Sequence, residues 1–285
     1  MTKPIVVGIG ELLWDMLPKG KRAGGAPINF VYNATQLGAD GYAISAIGKD
    51  TLGDEIIQEL EKSHIHHILE RNDYPTGVVE VVLNNGIPDY TIVEGVAWDH
   101  LKVTPQETAV IEKADAICFG TLALRSPQTK SAILTLLKHA PQTAYKLFDV
   151  NLRSNYFSKE LIDELLKEAN VFKINDEEMV KVQKLFGLNL SDEEVCHWFI
   201  KKYDLHYLIF TAGEKYSIVY SADGKKSYLD TPKVKVADTV GAGDSFSAGF
   251  IMGLLGGKSM QDAHKQAVAT AAFVCTKSGA WPKYE

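Results

Sequence analysis

Val236-Ala237-Asp238-Thr239-Val240-Gly241-Ala242-Gly243-Asp244-Ser245-Phe246 is the stretch from which the rest of the chain is read. Small residues at 241–243 precede Phe246, Phe250, Ile251, Leu254 and Leu255, whose spacing is helical, so the glycines sit at a helix N-terminus. Free backbone amides and the positive end of the helix dipole can hold an anion such as phosphate there. Gly241 and Gly243 also let a ligand approach the main chain closely. Asp244 falls in the first turn, and its chemistry leaves two readings open. Either it is a base beside the anion site, or it complements the helix dipole while Asp238 serves as a turn residue.

Upstream, short apolar runs recur at Ile5–Gly8, Tyr42–Ile47, Ala116–Phe119, Tyr145–Asp149, Val171–Ile174 and Tyr207–Thr211, each reading as a buried strand. Helical segments lie between them. Ser126-Pro127 reads as an N-cap with proline at the first helical position, Ser191 with Glu194 as a capping box, and Leu161, Ile162, Leu165, Leu166 and Ala169 as an apolar face. This alternation predicts an α/β fold on a mostly parallel sheet covered on both sides. Thr76–Val93 breaks the rhythm, because two β-rich runs flank Asn84-Asn85-Gly86. That is a hairpin signal, read either as an edge hairpin or, preferentially, as a small sheet standing off the body as a lid.

The 285 residues, 46% hydrophobic and 23% charged, are enough for a sizeable core in one compact fold, with no repeat or linker. Cys118, Cys196 and Cys275 lie far apart without CxxC spacing, which argues against a zinc ribbon or a disulfide framework and fits a reducing cytoplasm. No signal-like or membrane-spanning run is present, so the sequons at Asn33 and Asn189 read as chance. A net charge of −6 offers no field to attract nucleic acid. Small molecules are the expected partners. Gly253–Ser259 is one residue short of a P-loop and reads as a helix C-cap with Ser259 as the next N-cap, while Leu13 stands where a dinucleotide fingerprint needs its third glycine. His64, His66 and His67 read as a solvated turn after a helix ending near Ser63.

Asp238–Asp244 resembles the DTxGAGD signature of the ribokinase-like, or PfkB, carbohydrate kinases. Gly24-Gly25-Ala26-Pro27-Ile28-Asn29 resembles that family's GGAxxN sugar element, Asn175 and Glu178 match its NxxE element, and the motifs stand in family order over nearly the whole chain. The resemblance implies ATP-dependent phosphorylation of a sugar hydroxyl on a doubly wound sheet, with a β lid formed by about residues 11–23 and 76–100. It makes Asp244 the base, and Gly241, Ala242 and Gly243 the stabilisers of the transferred phosphoryl group. Asn175 and Glu178 would organise Mg²⁺ through water, although the same pair also reads as a helix N-cap and first-turn acid. Asp238 and Val240 would supply oxygens to a monovalent cation, K⁺, as in some relatives. Thr211 and Gly213 match the later TxGxxG nucleotide loop, whose second glycine is here Tyr216. Adenine would rest near Ala271, Val274 and Cys275.

Asp15 matches the family's early aspartate and, with Gly24, Gly25 and Asn29, would contact the sugar; Trp14 either covers the ring or packs beneath the lid. Asp149-Val150-Asn151-Leu152-Arg153 resembles the DxNxR segment of fructokinases and 2-keto-3-deoxygluconate kinases, where Arg153 suits a phosphate or a substrate carboxylate. Ile87–Leu101 contains no lysine or arginine, so a neutral hexose, fructose, is favoured over a sugar acid, while ribose, mannose or a related ketose stays open because sequence does not fix pocket shape. A second class of function, sugar binding without phosphoryl transfer, is opposed by the intact Asp244 and glycines. An exposed lid edge predicts a homodimer.

Overall fold

The computed structural model describes residues 2–17, 20–84 and 87–284. In chain order the strands are β1 (Ile5–Ile9), β2 (Leu13–Leu17), β3 (Gly20–Gly24), β4 (Asp40–Gly48), β5 (His66–Asn72), β6 (Gly77–Asn84), β7 (Ile87–Ile92), β8 (Ala116–Phe119), β9 (Tyr145–Asp149), β10 (Val171–Asn175), β11 (Tyr207–Thr211), β12 (Tyr216–Ser221) and β13 (Lys226–Asp230). The α-helices are α1 (Ala26–Gln36), α2 (Thr51–Lys62), α3 (Pro105–Ile111), α4 (Pro127–Lys138), α5 (Lys159–Glu168), α6 (Asp176–Phe186), α7 (Asp192–Tyr203), α8 (Ala242–Leu255) and α9 (Met260–Cys275).

Nine strands form one sheet in the order β13-β12-β11-β10-β9-β8-β1-β4-β5, parallel except for β12, which runs antiparallel to both its neighbours. Successive strand residues enter opposite cores: Val6, Ala116, Leu147, Val171 and Ile209 face α1, α8 and α9, whereas Val7, Ile117, Phe148, Phe172 and Leu208 face α4, α5 and α7. Both faces are dry, which is why these strands read as continuous apolar runs. The strand order reverses around β1, since the chain leaves it for β4 and β5 and returns to its other side as β8. In an open α/β sheet that crevice, at the carboxyl ends of the strands, is where ligands bind.

The second sheet has the order β3-β2-β6-β7, with β2 and β6 parallel and the other pairs antiparallel. Residues Asn85 and Gly86 of the expected hairpin turn lie outside the described residues. The expected helix signals are met at Ser191 and Glu194, which form a reciprocal box, and at Ser259, whose hydroxyl caps α9. Ser126 stands at the N-cap of α4, but its hydroxyl donates to the Asp99 carbonyl instead of accepting from its own helix. Among the described residues no helix is long and apolar enough to cross a membrane.

The histidine reading needs correction. His64 does follow α2, with φ 57°, but His66 and His67 begin β5. His66 pairs with Asp40 at 2.9 Å and stacks on Tyr42, so strand pairing and a carboxylate partner replace the expected turn.

Candidate active site

The turn after β1 starts the site. Glu11 is 2% exposed, and its carboxylate accepts from the Ala26 amide at 3.2 Å, capping α1 from outside that helix. Its own carbonyl lies 2.1 Å from where a Cβ on Gly25 would stand, and Gly25 has φ 116°, so only glycine fits there. Gly24 faces Asp15 of β2, whose Oδ2 would lie 3.1 Å from an added Cβ. One turn into α1, Asn29 donates to Asp244 Oδ2 at 2.8 Å and accepts from Trp281 Nε1 at 2.8 Å. The sugar element and the first turn of α8 therefore meet directly.

Gly241 caps α8 with φ 77°, and a Cβ on it would stand 2.5 Å from Ala280 Cβ. The Ala242 amide, expected to be free for an anion, donates instead to Thr239 O at 3.2 Å because the chain turns tightly into the helix. Gly243 is exposed in the first turn, where amides have no intrahelical acceptor. Beneath it lies Lys173 Nζ, 3.1 Å from the position of a Cβ on Gly243 and 2.7 Å from Asp149 Oδ2, with both side chains of that pair buried. Burial pulls the Lys173 pKa down, but Asp149, Glu178 and Asp244 outweigh it and the net shift is upward. Lys173 was not singled out from the sequence, although a lysine inside the buried run Val171–Ile174 was the available signal.

Burial, with the nearby charge of Asp149, raises the Asp244 pKa to about 6 against the opposing bond from Asn29 and the charges of Lys173 and Arg153. Glu11 is pushed to about 7, again chiefly by burial. Asp15 is raised by burial as well, with Arg22 and Arg153 opposing.

Asn175 and Glu178 form a complete capping box: Glu178 N donates to Asn175 Oδ1 at 2.8 Å and Asn175 N to Glu178 Oε2 at 3.0 Å. Glu178 Oε1 also accepts from Leu152 N at 3.0 Å. Each carboxylate oxygen retains one acceptor direction, open to a bound water or a metal ion. Among the described residues no three His, Cys, Asp or Glu side chains converge as a metal cluster.

At Asp238 protein donors stand where a cation was expected, and they fill one of its two oxygens, Oδ2. Its Oδ1 accepts from Val240 N at 3.1 Å, and its Oδ2 accepts from both Arg22 Nη1 at 3.1 Å and Gly279 N at 2.9 Å. Val240 is itself half exposed.

Thr211 ends β11, and Gly213 turns with φ 54° while its carbonyl accepts from Thr231 Oγ1 at 2.9 Å. Tyr216, in place of the second glycine, starts β12 and stacks on Tyr228. Cys275 is half-buried at the end of α9, as is Ala271, but Val274 is fully buried and unavailable to adenine because it packs inward. Trp14 is also buried and donates to Leu52 O at 3.0 Å, which selects the packing reading over a ring cover.

Arg153 is exposed at the crevice, where Asn151 and Ser154 both adopt positive φ, and it forms no ion pair among the described residues. The charge count over Ile87–Leu101 missed Arg125, which folds onto that segment from the short 3₁₀ helix Leu122–Arg125. It pairs with both oxygens of Asp99 at 2.8 and 2.9 Å, donates to Val93 O at 2.6 Å and lies 4.0 Å over the Trp98 ring. Asp99 neutralises it, so it brings no spare positive charge.

A family profile described as pfkB family carbohydrate kinase matches residues 19–284. The chain belongs to that family. It is a sugar kinase, a phosphotransferase with an alcohol group as acceptor. An uncharacterized sugar kinase of Pyrococcus horikoshii is 26% identical over 97% of this chain and 92% of its own length. The ribokinase-like fold is shared with a fructokinase of Xylella fastidiosa solved with bound ATP, at TM-score 0.84, 20% identity, 98% of this chain and 94% of the other. A fructokinase double mutant of Vibrio cholerae, solved with fructose, ADP and potassium, superposes at TM-score 0.82 with 21% identity, over 99% of this chain and 95% of that one.

Proposed function

We propose that this kinase transfers the γ-phosphoryl group of ATP to a hydroxyl of a neutral sugar, fructose, with Asp244 as the base. The observation that carries the reading is the junction of Asn29 with Asp244 at the N-terminus of α8, where burial raises the Asp244 pKa to about 6; it supports a base lying between the sugar element and the amides of the α8 start. A base with that pKa is ionised at neutral pH yet basic enough to take a proton from an attacking hydroxyl.

In the step, Asp244 removes the hydroxyl proton as the sugar oxygen bonds to the γ-phosphorus and the bridging oxygen–phosphorus bond breaks to release ADP. Such a transfer needs positioning and charge stabilisation more than covalent help from the protein. The Gly243 amide and the α8 dipole stabilise the transferred group, while the Ala242 amide must exchange Thr239 O for the phosphate to take part. Lys173, held against Asp149, keeps one of the two aspartates compensated so that Asp244 is the one that accepts the proton. Mg²⁺ bound through water at Asn175 and Glu178 would neutralise charge on the ATP phosphates. Thr211, Gly213 and Cys275 border the nucleotide, with Cys275 and Ala271 beside adenine.

Asp15, Gly24, Gly25 and Asn29 hold the sugar under the sheet β3-β2-β6-β7 acting as a lid. The Arg125–Asp99 pairing leaves Arg153 as the cation with spare charge there among the described residues, and one arginine suits a hydroxyl or passing phosphate better than it holds a carboxylate. Product formation across fructose, ribose, mannose, glucose and 2-keto-3-deoxygluconate tests this. Selective phosphorylation of fructose supports it; preference for the sugar acid overturns the specificity, and no product from any sugar leaves sugar binding alone as the function. We further propose a cytoplasmic homodimer paired through the lid, for which sedimentation should give twice the 31.4 kDa chain mass. A fully active monomer would contradict it.

A further inference from the structure

We propose that Arg22 is a built-in cation that holds the loop before the anion site and removes the need for a monovalent metal ion there. Arg22 lies on β3, and its guanidinium reaches the far end of the chain: Nη1 donates to Asp238 Oδ2 at 3.1 Å and Nη2 to Ser278 Oγ at 2.8 Å. The approach is built on both sides. Gly279 has φ 81°, and a Cβ there would meet Arg22 Nη1 at 3.1 Å and Cδ at 3.3 Å. The Gly279 amide shares Asp238 Oδ2 with the guanidinium at 2.9 Å, so this oxygen already has both acceptor directions filled.

The next residue, Ala280, is the one packed against Gly241 at the start of α8. Arg22 thus acts on the phosphoryl site through two short links, Asp238 and the Ser278–Ala280 turn, and is a positioning residue. Its side chain is 44% exposed, so the ion pair contributes little to stability as such. Its effect lies in fixing a carboxylate that would otherwise repel the incoming phosphates or recruit a cation from solution. Because β3 belongs to the small sheet, the same contacts tie that sheet to the phosphate side of the crevice.

This deepens the kinase reading and rests on it for the kinetic part, whereas thermal melting tests the cation role without turnover. Wild type, Arg22→Met, Arg22→Lys and the double variant Arg22→Met/Asp238→Asn would be compared in KCl and in choline chloride at equal ionic strength. Wild type and Arg22→Lys should turn over fructose within about twofold in the two salts and melt at the same temperature. Arg22→Met should lose about tenfold in kcat in choline, recover most of it with K⁺, and melt about 3 °C higher in K⁺. Both K⁺ responses should vanish in the double variant. Potassium dependence of the wild type in either readout, or an Arg22→Met protein indifferent to K⁺, would overturn the proposal. A wild type inert toward every sugar would defeat the kinase reading, and the melting comparison would still decide the role of Arg22.

Discussion

Glu11 and Asp244 are two acids that folding makes harder to ionise, and the consequence for stability has a definite sign. Glu11 moves from an ordinary 4.5 to about 7 on folding. The folded state therefore holds its proton more tightly, and that contribution to stability is fully present below 4.5 and lost as the pH rises through 7. Glutamine keeps an oxygen for the Ala26 amide but has no charge to bury. The melting temperature of Glu11→Gln relative to wild type should therefore rise between pH 5 and pH 8, and an unchanged gap would contradict the burial argument. At this scale the sequence was a partial guide. Gly241 and Gly243 were legible because a helix start and anion chemistry demand small residues there, whereas Gly25, Asn29 and the base role of Asp244 came through resemblance to the family's motifs. Glu11 and Lys173 passed unnoticed: a single charge in an apolar run carries no period, and its importance shows only once its surroundings are seen to be dry.

Among the elements, the turn Ser278–Trp281 does more than its lack of regular structure suggests. It receives Arg22, packs Ala280 on Gly241, accepts from Asn33 at 3.3 Å and supplies the Trp281 indole to Asn29. By donating to Asn29 Oδ1, that indole fixes which end of the amide faces Asp244. Trp281→Phe retains most of the stacking on Tyr32 but loses this donor. It should lower kcat/KM about tenfold while leaving the melting temperature within a few degrees, as steady-state kinetics beside a melt would show; unchanged kinetics would mean that Asn29 is oriented without it. None of this was readable beforehand, because contacts between residues some 250 positions apart leave no local pattern. The strands of the large sheet were readable since both faces are buried, and helix starts were readable where a cap residue is obligatory. The parallel pairing of β2 with β6 was not, since a hairpin signal describes only neighbours in sequence.

For the whole molecule, the fold concentrates its unusual chemistry at one place. The strand order reverses at β1, and the carboxyl ends of β1, β9 and β10 deliver Glu11, Asp149, Lys173 and Asn175 to the same crevice that α1 and α8 enter by their N-termini. Two helix dipoles and a compensated lysine oppose the acids, so a polyanionic donor can approach an otherwise acidic chain. The family followed from motifs in order along the sequence and the large sheet from its apolar runs; the charge balance beside the lid did not, because Arg125 meets Asp99 only in space. The claim on which the account stands is that Asp244 takes the proton. Its most direct test is the pH dependence of kcat/KM for sugar phosphorylation by wild type and Asp244→Asn, with folding of the variant confirmed by melting. The wild-type profile should fall tenfold per unit below an apparent pKa near 6, and the folded variant should be reduced about 10²–10⁴-fold with that limb absent. A folded Asp244→Asn enzyme that keeps most of the activity, or the same acid limb, would contradict it.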